Sequence, residues 1–149
     1  GKLSNINMTV NANEWSHIAV TFGEKTIKVY VNGVEKGSST TNVPSSVNFG
    51  IAHNDEQGTR ITRCFWVGYS YEHARYFPGM MSELRIWNRV LTADELANAT
   101  RRYGVDPKSE GLVTYWKCDE GQGDVIKDYT SYRNDLASDG LKWEPVSLP

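Results

Sequence analysis

HIAVTFGEKTIKVYVNGVEK, residues 17–36, is the stretch on which the reading of this chain turns. Ile18, Val20 and Phe22 alternate with His17, Ala19 and Thr21, the period of two that separates the two faces of a β-strand. Ile27, Val29 and Val31 repeat the pattern against Lys28 and Tyr30. The second run meets Asn32-Gly33 before continuing as Val34-Glu35-Lys36. Asn-Gly tolerates positive φ at both central positions of a type I′ turn, so the stretch predicts an antiparallel hairpin.

Working outward, Gly37 to Ser46 is rich in Ser, Thr and Asn and contains Pro44, which reads as an edge strand fading into a loop. Further strands are expected at Val47–Ile51, Ile61–Ser70, Met80–Trp87 and Leu112–Cys118, separated by turns containing Gly, Asn and Asp. One segment reads as a helix. Thr92 is its N-cap, Glu95 completes a capping box, and Leu91 and Leu96 occupy the positions of a hydrophobic staple. Ala97, Ala99, Arg101 and Arg102 continue it to a stop at Gly104, about three turns by this pattern. Past Tyr129 the polarity is mixed, and Trp143 is the clear anchor. Many short strands with one short helix predict an all-β, antiparallel sandwich.

The chain has 149 residues, 39% of them apolar, which suits a single domain over residues 1–149. Sixteen basic and eighteen acidic side chains are interspersed, for a net charge of -2, so no basic stripe could follow a phosphate backbone. Nucleic acid is excluded as an expected partner. No apolar run approaches the roughly 20 residues of a membrane span, and Gly1 to Val10 lacks the pattern of a signal peptide. Cys64 and Cys118 lack metal-ligand spacing. They read either as buried thiols or as a cross-strand disulfide, and the spacing leaves both open.

Three blocks carry a family resemblance. EWSHIAVTF with IKVYVNGV, within residues 14–34, resembles a W-x-H-I/V-A-x-T-Y/F strand and its Y-V/I-N/D-G hairpin. FPGMMSELRIWNRVLTADEL, residues 77–96, resembles the F-x-G-x-I/M-x-E-V/L-R-I/V-W/Y-N strand-to-helix signature. GLVTYWKCDEGQGDVIKDYTSYRND, residues 111–135, is similar to a G-L-V-A-Y-W-x-F/L-D/N-E-G-x-G strand. The family is the laminin-G-like jelly rolls of the concanavalin A-like lectin and glucanase superfamily. The resemblance implies a concanavalin A-like jelly-roll β-sandwich and a sugar-binding or scaffolding task, as in surface proteins of the Bacteroides type. Such domains usually carry several strands ahead of the W-x-H block, which this chain reaches by residue 15. The expectation is a carboxyl-terminal portion, completed by a preceding segment or by a second chain.

The chemistry-bearing residues each have two readings. Trp15 and His17 open a strand with no recognisable nucleophile beside them, so a structural role is expected. Glu83 and Arg85 alternate next to Trp87 and read as a structural ion pair. Glycoside hydrolysis needs two carboxylates facing one bond. The E-x-D-x-x-E run of the superfamily's glucanases is missing, and no catalytic residue is expected.

Tyr71, Glu72, His73, Arg75 and Tyr76 form the candidate ligand-binding loop. Aromatic faces stack on sugar C–H faces while charged forks pair with hydroxyls. The competing reading is a loop packed over the rim by its own aromatics. The turns Asp119–Asp124 and Asp128–Asp135 offer oxygens that calcium accepts, and the resemblance implies calcium near a rim loop. Asp128, Asn134 and Asp135 are the candidate metal ligands, although all three are equally turn formers.

The leading functional expectation is a noncatalytic carbohydrate-binding module of a larger extracytoplasmic glycan-handling protein, secreted, periplasmic or on the cell surface. The alternatives are a structural spacer or protein-contact domain, and part of a glycoside hydrolase whose catalytic residues lie outside this chain.

Overall fold

The computed structural model describes residues 6–43, 53–54, 60–61, 67–68, 76–138 and 140–149. The chain divides into two compact units, one made of Gly1–Val43 with Met81–Pro149 and the other of Pro44–Met80.

In the first unit, β1 (Ile18–Gly23), β2 (Thr26–Val31) and β3 (Val34–Ser39) form an antiparallel sheet in that order. The Asn32-Gly33 turn forms as the sequence predicts, with φ of 52° and 81°. A bulge between Val29 and Tyr30 shifts the register against β3. The β1–β2 turn is also two residues long, but its left-handed positions hold Glu24 and Lys25, at φ of 49° and 57°. Each side chain there meets the Cβ clash that makes the left-handed region costly, about 1 kcal/mol per residue. Replacing the pair by Asn-Gly is expected to stabilise the protein by about 1 kcal/mol. The readout is a higher urea midpoint at unchanged slope, and an unmoved midpoint would show that the turn carries no such strain.

The period of two holds in this sheet, but β1 turns its covered face the other way from the sequence expectation. Thr21 is buried, whereas Ile18 and Val20 are 44% and 63% exposed. The cause is what lies against each face. A Cβ on Gly23 would meet Val90 at 2.7 Å, and Gly23 shares its face with Thr21 and Ala19. Val29, Tyr30 and Val31 are all buried, so the middle strand is covered on both sides.

In the second unit, β4 (His53–Asn54) and β5 (Arg60–Ile61) pair antiparallel, His53 opposite Ile61. The strand expected at Val47–Ile51 lies outside the described residues, as does most of the one expected at Ile61–Ser70.

Back in the first unit, β6 (Leu84–Trp87) pairs antiparallel with β7 (Leu112–Trp116). The ladder begins later than the expected Met80 because Glu83 is left-handed, at φ 58°, and a strand cannot continue through that conformation. Strand β7 supplies much of the core: Leu112, Thr114, Tyr115 and Trp116 are all buried, Tyr115 completely.

Helix α1 (Ala93–Ala97) has the capping box expected of it. Thr92 Oγ1 accepts from the Glu95 N–H at 3.2 Å, and Glu95 Oε2 accepts from the Thr92 N–H at 2.9 Å. Both Glu95 oxygens also accept from Arg89, at 2.8 and 3.0 Å, and Arg101 adds a third guanidinium contact. The Arg89 bonds, then the Thr92 N–H, draw the Glu95 carboxyl down to about 2. The helix is shorter than the three turns expected. Asn98 takes an extended ψ of 105°, and a 3-10 turn at Ala99–Arg101 follows. Arg85 donates to the carbonyls of Arg101 and Arg102 at 2.7 and 2.8 Å, satisfying the end of that turn. Gly104 is left-handed, at φ 59°, but it is not the helix stop expected of it, because Asn98 already caps α1.

Two short strands, β8 (Val125–Ile126) and β9 (Leu136–Ala137), close the carboxyl-terminal region, and Asp128 bridges to Trp116. The fold is all-β and antiparallel, with one short helix.

Candidate functional site

The turn that leaves β7 builds an open concavity. Strands β6 and β7 end side by side, the Glu83 N–H donating to the Lys117 carbonyl at 3.3 Å. Both chains are left-handed there without glycine, Glu83 at 58° and Cys118 at 60°. Backbone strain of this kind costs about 1–3 kcal/mol per residue and concentrates at sites that need a fixed shape.

Beyond Cys118 the chain turns through Asp119 to Asp124 with Gly121 and Gly123 also left-handed, and β8 returns. An open cleft of about 330 Å³ lies there, lined by Glu120, Gln122, Asp124, Lys127 and Tyr129 among others. Glu120 Oε1 accepts from the Lys127 N–H at 2.8 Å, while its Oε2 is closed off and makes no hydrogen bond. Tyr129 donates its hydroxyl to Asp119 at 2.8 Å, and the Lys117 ammonium sits 4.4 Å from its ring centroid. The bond to Asp119, with burial second, pushes the Tyr129 hydroxyl up to about 12. Trp143 donates its ring N–H to the Gly123 carbonyl at 2.9 Å, so the anchor expected of Trp143 braces the cleft turn.

Tyr115 links this end to the core. Its hydroxyl donates to Glu83 Oε2 at 2.5 Å, and its ring lies 6.3 Å from that of Tyr129. Burial, then the Glu83 carboxylate, raises its pKa beyond that of an ordinary tyrosine. The expected Glu83–Arg85 ion pair is therefore not how these residues are used. Glu83 serves Tyr115, and Arg85 gives its donors to the carbonyls of Glu83, Arg101 and Arg102.

Of the ligand-binding residues predicted from sequence, Tyr71, Glu72, His73 and Arg75 lie outside the described residues. Tyr76 is 69% exposed, beside Phe77 at 51%. Cys64 also lies outside them, whereas Cys118 is a free thiol raised to about 12, by burial first and then by Glu120, Asp119 and Glu83.

The three candidate metal ligands do come together, in an arrangement that does not fit a cation. Asp128 is buried, and both its oxygens already face donors. Oδ1 accepts from the N–H groups of Tyr115 and Thr130, at 3.0 and 2.9 Å. Oδ2 accepts from the Thr114 and Thr130 hydroxyls and the Asn134 N–H, at 2.9, 3.0 and 3.0 Å. Asp135 Oδ1 accepts from the Asp128 N–H, and the Asn134 carbonyl accepts from Trp116 Nε1, each at 2.8 Å. Donor hydrogens aimed at a carboxylate take the lone pairs calcium needs. No group of three or more His, Cys, Asp or Glu side chains that could hold a metal occurs among the described residues. The His17 backbone pins the β2–β3 turn, its N–H donating to Asn32 Oδ1 and its carbonyl accepting from the Asn32 N–H, while its ring Nδ1 is buried without a hydrogen bond. Burial, then the charges of Arg85 and Arg102, lowers its pKa.

An antiparallel all-β chain with a polar cleft beside one tyrosine is the class that this fold and site define. Residues 2–97 match the Laminin_G_3 family of the concanavalin A-like lectin/glucanases superfamily, and the chain belongs to that family. Nothing among curated proteins matches the chain. A crystal structure from Bacteroides ovatus, described as a "putative carbohydrate binding protein", is 29% identical with a TM-score of 0.56. The match takes in 91% of this chain but only 39% of that protein, so the chain spans about two fifths of its length. An S-layer domain-containing protein from Clostridium thermocellum is 25% identical over 65% of this chain and 43% of that one, with a TM-score of 0.42. No described helix is long and apolar enough to cross a membrane.

Proposed function

We propose that the chain is a noncatalytic carbohydrate-binding module of a larger extracytoplasmic protein that handles glycans. The observation that carries the reading is the likeness to the Bacteroides ovatus protein, at 29% identity over nearly all of this chain, within a lectin-containing superfamily. Three of the described acids are committed to structure, which supports a binding task. Glu83 holds a tyrosine, Asp119 holds another, and Asp128 organises backbone. Hydrolysis asks for two carboxylates facing each other across a bond, one of them able to protonate a leaving group.

The loop bearing Tyr71, Glu72, His73, Arg75 and Tyr76 is proposed as one contact surface, and the exposure of Tyr76 supports it. Affinity electrophoresis of the intact protein through polysaccharide gels is expected to show retardation without release of reducing ends. Tyr76→Ala is expected to weaken retention up to about tenfold, the loss of one aromatic contact. Silence across plant, host and microbial polysaccharides would remove the proposal, and released reducing ends would replace binding with catalysis.

A further inference from the structure

We infer that the cleft beside Tyr129 is a second sugar subsite, separate in sequence from the 71–76 loop, which accepts uncharged glycans and turns away acidic ones. The inference rests on the carbohydrate-binding reading and adds a place and a selectivity to it. The cleft walls are fixed before any ligand arrives. The Lys127 N–H holds Glu120, Asp119 holds the Tyr129 hydroxyl, and Trp143 and Ser138 hold the Gly123 and Asp124 carbonyls. A site whose side chains are already placed gives up less conformational freedom on binding.

Its lining also has the two chemistries a sugar requires. Tyr129, 39% exposed, has the Lys117 ammonium over one face of its ring, 4.4 Å from the centroid, and offers the remaining ring surface to C–H faces. Gln122, Asp124 and Lys127 offer hydroxyl acceptors and donors. Gly121 and Gly123 leave the turn open, since a Cβ on either would meet nothing within 4 Å.

Charge sets the selectivity. The lining carries two acidic residues, Glu120 and Asp124, and one lysine, Lys127, while Asp119 and Lys117 both stand against Tyr129, which leaves three acids to two ammonium groups. A uronate or sulfate placed there would meet net repulsion over a distance shorter than the screening length. Neutral sugar hydroxyls meet none.

The test is affinity electrophoresis of the intact protein against neutral polysaccharides (laminarin, galactomannan, xylan) and acidic ones (polygalacturonate, chondroitin sulfate), at low and moderate salt. The wild type is expected to bind at least one neutral probe fivefold or more tighter than either acidic one. Tyr129→Ala is expected to weaken neutral binding about fivefold or more. Asp124→Lys removes one carboxylate and adds an ammonium, so it is expected to raise retention by polygalacturonate, an effect that fades with salt. Near-ultraviolet circular dichroism of both variants must match the wild type. Because Tyr129 could report through the fold, Gln122→Ala serves as a second, milder variant with the same expected direction. Neutral binding lost in Tyr76→Ala but untouched by Tyr129→Ala, Gln122→Ala and Asp124→Lys overturns the cleft while sparing the module's function. Equal retention by acidic and neutral probes overturns the selectivity, and no retention by any probe overturns both readings.

Discussion

Asp128→Ala is expected to lower stability by about 4 kcal/mol. The carboxylate receives four hydrogen bonds, from the N–H groups of Tyr115, Thr130 and Asn134 and the Thr114 hydroxyl, and shares the Thr130 hydroxyl with the Val113 carbonyl. Removing an acceptor that leaves buried donors unsatisfied costs about 1–3 kcal/mol per orphaned group, and several share this site. Thr114 and Tyr115 are in the core of β7, where water cannot stand in cheaply. Asp128→Asn keeps the shape but turns an NH₂ toward donors on one side, so it is expected to destabilise by a smaller amount of the same sign. Urea unfolding measures both, and a loss below about 1 kcal/mol for the alanine variant would show that these bonds do not organise the region.

The same carboxylate predicts an acid limit. Burial pushes Asp128 up, but the N–H groups of Tyr115, Thr130 and Asn134 and the Thr114 hydroxyl outweigh it, leaving the group below an ordinary aspartate. A depressed folded-state value means that stability is fully present above the unfolded value near 4 and is lost as pH falls through the folded one. Glu95, drawn down to about 2, acts in the same direction. Thermal midpoints are expected to fall as pH drops from about 4 toward 2, and less steeply in Asp128→Asn.

Local chemistry made part of this fold legible. The Asn32-Gly33 turn and the Thr92–Glu95 capping box each depend on residues within a few positions of one another, and both form. What depended on packing was misread. The alternation of Ile18, Val20 and Phe22 gives a strand, yet packing and not alternation sets which face is covered, since Thr21 is buried while Ile18 and Val20 are exposed. The helix ends early because Asn98 leaves the helical region, and Arg85, from another strand, caps the 3-10 turn that follows. Asp128 shows the same limit at the candidate site. Its neighbours in sequence suggested oxygen ligands for calcium, while its actual partners Thr114 and Tyr115 lie on β7. The cleft had one visible signal, the paired glycines at 121 and 123, and no local cue that Trp143 and Tyr129 would frame them.

Gly33→Ala is the second large effect, at about 3 kcal/mol of lost stability, and the reason separates into two parts. Gly33 is left-handed at φ 81°, where a Cβ costs about 1 kcal/mol. The added atom would also lie 2.6 Å from Ala97 Cα and 2.9 Å from the Leu96 carbonyl oxygen, both helix backbone. Overpacking against an immovable neighbour costs about 1–3 kcal/mol more. The neighbour is held from both sides: Glu95 is locked to Thr92, Arg89 and Arg101, and Arg102 donates to the Asn32 carbonyl at 3.1 Å. Gly104 isolates the first part, because it is left-handed at φ 59° with nothing within 4 Å of its missing Cβ. Gly104→Ala should therefore cost only about 1 kcal/mol. Equal losses in the two variants, read from urea midpoints at matched slopes, would mean that the hairpin turn does not press on α1. A threefold larger loss at Gly33 would instead make that close approach a principal tie between the hairpin and the helix.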